Sequence, residues 1–174
     1  MSSAHDIEPV QSGEYGPVLD LYPKAFPSED LTDLVAQLLA HPDVINLVAR
    51  QDGAVIAHAA ISQCAIENST AKVGLLGPLC VDPTAQRQGL GRALIMAGTE
   101  AARAAHCVEM LVLGDPKYYG PLGFDRPSVI EAPYPLPVEW CEAWRSMHLA
   151  PEGAQTTTRL VPPAPWRNAS YWVD

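Results

Sequence analysis

The chain predicts a mixed α/β or α+β layer fold, and three observations carry that prediction. Apolar residues recur at helical spacing over 31–39 and 90–105. β-like runs occupy 44–50, 54–66, 72–81 and 108–113. Turn chemistry separates these runs, giving the order helices, hairpin, strand, helix, strand, helix and further strands.

The elements follow in order. Residues 7–10 read as a short first strand, and a helical region after it is broken by Pro17, Pro23 and Pro27. Pro27, Ser28, Glu29 and Asp30 then read as a helix start with Ser28 as N-cap. Leu31, Leu34, Val35, Leu38 and Leu39 give that helix one buried stripe, which His41-Pro42-Asp43 stops. The runs 44–50 and 54–66 are joined by Gln51-Asp52-Gly53, whose Asp-Gly pair signals a hairpin. The next strand, Lys72–Val81, is interrupted by Gly74, Gly77 and Pro78. Proline cannot donate to a ladder, so Gly77-Pro78 marks a bulge, an edge or a place where strands part.

Leu90, Leu94, Ala97, Ala101 and Ala105 supply one apolar helical face in an alanine-rich stretch. Residues 108–113 suit a covered strand, and Gly114-Asp115-Pro116 leads into a short helix through Tyr118 and Tyr119, ended by Gly123. Phe124 is expected to begin the next strand. Prolines at 127, 133, 135 and 137 forbid long regular elements, while 144–149 reads as a strand. Trp166, Tyr171 and Trp172 are costly to leave in water, so the tail is expected to fold back. Residues 1–174 thus read as one domain, with 151–174 a proline- and aromatic-rich extension packed on it.

Composition excludes several function classes. With 11 Lys plus Arg against 20 Asp plus Glu, the net charge is -9. Such a surface repels nucleic acid, and no basic cluster with interleaved aromatics offsets it. No apolar run is long enough to span a bilayer, and the opening MSSAHDIEPV does not read as a signal peptide. No membrane partner and a cytoplasmic location are therefore the expectations. Cys64, Cys80, Cys107 and Cys141 are widely separated, and no His/Asp/Cys grouping has metal-ligand spacing. No metal is expected.

The chemistry concentrates in Gln86-Arg87-Gln88-Gly89-Leu90-Gly91-Arg92, between a strand and an amphipathic helix. First-turn amides of a helix have no internal acceptor, and glycines permit close backbone approach. The helix dipole favours an anion there, and Arg87 or Arg92 adds an ion pair. A Walker A loop is absent, and a dinucleotide fingerprint fails because position 94 is Leu94. What is left is Q/R-x-x-G-x-G/A, which a tight packing turn would also satisfy.

The strings LGPLCVDPTAQRQGLGRALI and LVLGDPKYYGPLGF together resemble the GCN5-related N-acetyltransferase (GNAT) superfamily, and the second resembles its YhbS-like branch. The resemblance covers about Ile7 to Leu149. It implies a mostly antiparallel central sheet flanked by helices, with strands parting at an acyl-CoA site. It implies acetyl-CoA as co-substrate, with transfer to an amine and no protein-bound intermediate. By position it assigns the pantetheine arm to main-chain groups of Leu79, Cys80 and Val81. It assigns the pyrophosphate to amides of Arg87, Gln88, Gly89, Leu90, Gly91 and Arg92. An N–H near Val81 is the expected donor to the developing oxyanion.

Tyr119 matches the family tyrosine four residues before Gly123 and is the expected general acid, protonated at neutral pH. Tyr118 is the weaker candidate. The general base is less marked, because relatives carry a glutamate on the strand before the turn and Lys72–Val81 has no carboxylate. His58 has a suitable intrinsic pKa and shares a strand face with Ala60, Ser62 and Cys64. It is the candidate base or relay, with Glu67 behind it. His41, His106 and His148 stand at element ends with no visible partners.

The expected activity is N-acetyl transfer from acetyl-CoA to a primary amine of a small molecule or peptide. A non-catalytic acyl-CoA-binding or regulatory domain is the alternative, and an interaction module with a purely structural glycine turn is the third reading. A homodimer through the aromatic tail is a further expectation.

Overall fold

The computed structural model describes residues 5–151 and 157–173. β1 (Ile7–Pro9) is followed by α1 (Tyr15–Ala25) and α2 (Thr32–Ala40), then by the hairpin β2 (Val44–Gln51) and β3 (Ala54–Ile66). Asp52 and Gly53 both have positive φ (51° and 80°), the hairpin turn that Asp-Gly favours. β4 (Lys72–Val81), α3 (Leu90–Ala104) and β5 (Cys107–Leu113) form a strand–helix–strand unit. After α4 (Pro116–Tyr119) come β6 (Arg126–Pro127), β7 (Ile130–Glu131), β8 (Trp144–His148), β9 (Thr158–Val161) and α5 (Ser170–Val173).

The sheet order is β1-β2-β3-β4-β5-β8-β6. Its neighbours are antiparallel except β4 and β5, which run parallel because α3 crosses between them. This is the mixed, mostly antiparallel layered sheet that the family resemblance implies. β9 pairs with β3 at Ala65 and Ile66, beyond the start of β2, and carries β7 on its other side.

Both faces of the sheet are covered. On one, Leu94 and Ile95 of α3 and Phe124 meet Ala57, Ala59, Ile61, Met110 and Val112. On the other, α1 covers Val48 and Cys80, α2 covers Ala60, and the tail places Trp172 on Leu75, Leu111 and Trp144. Alternate residues of β3 serve opposite faces, which is why its sequence is nearly continuous in apolar residues. Each fully buried Leu or Ile contributes roughly 1.5–3 kcal/mol to this core.

Three local expectations change. α1 runs through Pro17 and Pro23 unbroken. Pro17 lies in the first turn, where an N–H has no acceptor anyway, and Pro23 is the third residue from the end. α2 begins at Thr32 rather than after Ser28; Asp30 Oδ1 accepts from Thr32 N (3.1 Å). Phe124 does not open a strand. Its N–H donates to Tyr119 O (3.2 Å), so its main chain closes the helical turn while its ring enters the core.

Candidate active site

β4 and β5 part halfway. Their ladder runs from Lys72 and Cys107 to Leu76 and Val112 and stops, although β4 continues to Val81. Gly77 (φ +138) holds a conformation that side chains resist, and Pro78 has no N–H for a ladder. β3 stays paired with β4 to its end, so the second half of β4 is bonded on one edge only. Asp82 N donates to Ile56 O (2.8 Å). Antiparallel alternation then directs the main-chain groups of Cys80 to His58, and those of Leu79 and Val81 into the split. The Val81 carbonyl accepts from Gln86 Nε2 (3.3 Å), while its N–H faces the opening.

The segment after β4 is shaped to expose amides. Asp82 Oδ1 accepts from Thr84 N (2.9 Å) and Thr84 Oγ1 (2.7 Å), fixing a short helical turn over Pro83–Ala85. Arg87 (φ +64) and Gly89 (φ +83) are both left-handed. The first turn of α3 closes with Ala93 N on Gly89 O (3.0 Å). Over 86–92 no main-chain N–H donates to a main-chain or side-chain acceptor among the described residues. These amides form a concave nest at the positive end of a 15-residue helix. Neither Arg87 nor Arg92 has a carboxylate partner among the described residues.

A groove of about 490 Å³ runs from this nest along the split, lined by Leu79, Val81, Arg87, Gly89, Gly91 and Tyr118. Leu90 and Arg92 also line it; Gln88 does not. Cys80 reaches the lining, but its main chain serves β3, and burial first, then Asp82, pushes its thiol up to about 12. A second cavity, about 510 Å³, opens beyond Gly77-Pro78. Its walls come from Leu34 of α2, Leu75 of β4, Leu113 of β5 and the tail residues Trp166, Tyr171 and Trp172, with Glu29 and Asp30 at the mouth.

The two tyrosines of α4 diverge. Tyr118 lies over the nest, and a methyl group on Gly91 would meet its Oη at 2.5 Å. Tyr119 packs its ring on Gly114 at the end of β5 and stands edge-on to Phe124 (centroids 5.9 Å apart). Burial, with the neighbouring Tyr118 second, pushes the Tyr119 phenol up to about 12. The Tyr118 phenol is raised as well, again by burial.

His58 does not face the groove. It is fully buried under α1, with Tyr22 Oη 2.7 Å from Nδ1 and Asn46 Oδ1 2.9 Å from Nε2. Burial holds its pKa down at about 3, so the imidazole is neutral and both nitrogens are engaged. That environment corrects the expectation of a base or relay here. Glu67 lies eight residues along β3 from the groove, roughly 26 Å, and its main chain ties down β9.

His148, expected to lack a partner, has one. Its Nε2 lies 2.7 Å from Oε1 of Glu109, which is fully buried. The approach lacks hydrogen-bond alignment, so both carboxylate oxygens are without an aligned donor among the described residues. Burial raises the Glu109 pKa, and His148 offsets part of the rise. Cross-strand register between β5 and β8 sets this pair, which no spacing in the sequence announces.

Comparison with known proteins places this geometry. The model of the Acetyltransferase (GNAT) family matches residues 16–124. The chain is 32% identical over 168 residues to YjhQ of Escherichia coli K12, described as an uncharacterized N-acetyltransferase, covering 91% of this chain and 86% of that one. Its fold is similar to the GNAT protein YhbS of Escherichia coli in complex with CoA, with TM-score 0.78 and 23% identity over 90% and 89% of the two chains. It is also similar to a GNAT acetyltransferase of Brucella melitensis in complex with acetyl-CoA, with TM-score 0.71 and 24% identity over 88% and 93%.

Proposed function

Because the chain belongs to the GNAT family of acetyltransferases, we propose that it transfers the acetyl group of acetyl-CoA directly to a primary amine of a small molecule or peptide. The observation that carries this reading is the run of unpaired amides over 86–92 opening onto a split sheet edge. Short directed N–H bonds hold a diphosphate even though the molecule as a whole is acidic. YhbS and the Brucella melitensis protein, which share the fold, bind CoA and acetyl-CoA.

In this reading the nest amides and Arg87 receive the pyrophosphate, and the free main-chain edge of Leu79 and Val81 holds the pantetheine arm. The thioester supplies an electrophilic carbonyl carbon. Val81 N–H donates to its oxygen as negative charge develops there. The amine nitrogen bonds to the carbonyl carbon, the C–S bond breaks with its electron pair on sulfur, and the amine loses a proton to water. Tyr119 gives the leaving sulfur a proton and regains one from solvent. Its raised pKa keeps the phenol protonated at neutral pH, as a donor requires. Tyr118 orients the cofactor over Gly91. His58 has no step, because its nitrogens are engaged beneath α1.

A thiol-release assay with acetyl-CoA across a panel of amines tests the transfer, and thermal unfolding with CoA tests binding separately. CoA at about 100 times its Kd adds about 2.7 kcal/mol to the folded state and raises Tm accordingly. An unshifted Tm at millimolar CoA would overturn the reading.

A further inference from the structure

We propose that the second cavity is the acceptor chamber and selects a primary ammonium carried on an apolar skeleton that bears no anionic group. This deepens the transfer reading above and rests on it. The cavity is lined by β4 up to Pro78 and the groove from Leu79 onward, so consecutive residues of β4 border the two beside its parting from β5. A thioester lying against Val81 is therefore reached from the cavity side by an amine nitrogen.

The lining states the selectivity. Leu34, Leu75, Leu113, Trp166 and Trp172 give the cavity apolar surface, alongside polar surface that includes Ser170 and Tyr171. Its charged groups are the carboxylates of Glu29 and Asp30, and no Lys, Arg or His is among the lining residues. An ammonium is attracted to that mouth and to the aromatic faces behind it. A carboxylate on the same acceptor would be repelled at the mouth and left unpaired within.

The aromatic wall is held in place. Trp166 Nε1 donates to Ser62 Oγ (2.9 Å) on β3, and Trp172 Nε1 donates to Trp166 O (3.0 Å). Trp166 and Trp172 stack at a tilt with centroids 5.7 Å apart, and Tyr171 meets Trp166 edge-on at 6.1 Å. β9 bonds the segment before them to β3. With both indole N–H groups satisfied, Trp166 and Trp172 present fixed ring surface, and that favours a rigid apolar skeleton on the acceptor. At about 510 Å³ the chamber has the size of a small-molecule site.

The test compares matched acceptors that differ by one carboxylate: phenethylamine against phenylalanine, and hexylamine against 6-aminohexanoate. Each is assayed by thiol release from acetyl-CoA, with CoA binding measured separately by the Tm shift. The expected result is kcat/KM about 100-fold higher for the carboxylate-free member of each pair. Glu29→Gln with Asp30→Asn should narrow that ratio to about 10-fold or less. Trp166→Ala should raise KM for phenethylamine about 10-fold with a far smaller change in KM for acetyl-CoA. If Trp166→Ala does not fold, Tyr171→Ala reads the same wall from a half-buried position.

Equal rates within the pairs, or a Trp166 and Tyr171 wall whose loss leaves the amine KM unchanged, would overturn the proposal. So would CoA binding with no turnover of either carboxylate-free amine. Absence of CoA binding would instead remove the transfer reading itself.

Discussion

At the scale of single residues, burial separates groups that the sequence treats as alike. Tyr118 and Tyr119 are neighbours, yet one lies on the nest and the other on Gly114. Tyr119→Phe keeps the ring and removes the proton donor, so kcat should fall about 100-fold with KM for acetyl-CoA little changed. Tyr118→Phe should instead change that KM by a few-fold and leave kcat within about threefold. Steady-state kinetics on both variants separates the roles.

His58 makes the same point through stability. Its pKa is about 3 in the folded chain and about 6.5 unfolded, so the unfolded state binds the extra proton between those values. Stability from this site is whole above pH 6.5 and drains away as pH falls toward 3, at about 1.4 kcal/mol per unit in mid-window. Urea unfolding at pH 7, 6 and 5 should show His58→Gln with a flatter dependence than the wild type. Histidine in a strand reads identically whether it meets solvent or Tyr22, and only the packing of α1 decides. The nest residues, by contrast, were legible, because glycine spacing and the strand-to-helix change are local properties.

At the scale of elements, the turn between β4 and α3 depends on two left-handed residues, and glycine fills one of them. Gly89→Ala places a Cβ at φ +83, where an L residue loses roughly 1–2 kcal/mol. Denaturant titration should show that loss, and the CoA-induced rise in Tm should shrink with it. Strand and helix positions followed from periodicity, because β3 and α2 bury faces that their own spacing defines. Proline was the weaker guide. Pro23 costs α1 one bond near its end, which the packing of Val18, Leu21 and Tyr22 outweighs. The short elements β6, β7 and β9 owe their existence to partners distant in sequence, and nothing local marks them.

At the scale of the whole molecule, a net charge of -9 opposes a nucleotide anion while the nest attracts it at contact distance. The Debye length shrinks from about 30 Å at 0.01 M to about 8 Å at 0.15 M, which screens the distant carboxylates more than the directed amides. Calorimetric Kd values for CoA should therefore stay flat or fall over that range. A tenfold weakening would mean that Arg87 and Arg92, not the amides, carry the binding. Of the tail aromatics, Trp172 is turned inward, to 2% exposure, while Trp166 and Tyr171 stay half-buried.

The interrupted ladder has a mechanical consequence. β1 to β4 form one leaf and β5, β8 and β6 another, joined by a short seam over 72–76, by α3 and by Trp172 of the tail. The amides of Leu79 and Val81 face the split without a partner strand, so they should exchange with solvent deuterium without any opening of the sheet. A molecule lodged between the leaves behaves as a missing strand. Its arrival should slow exchange on both leaves at once, far beyond the atoms it touches.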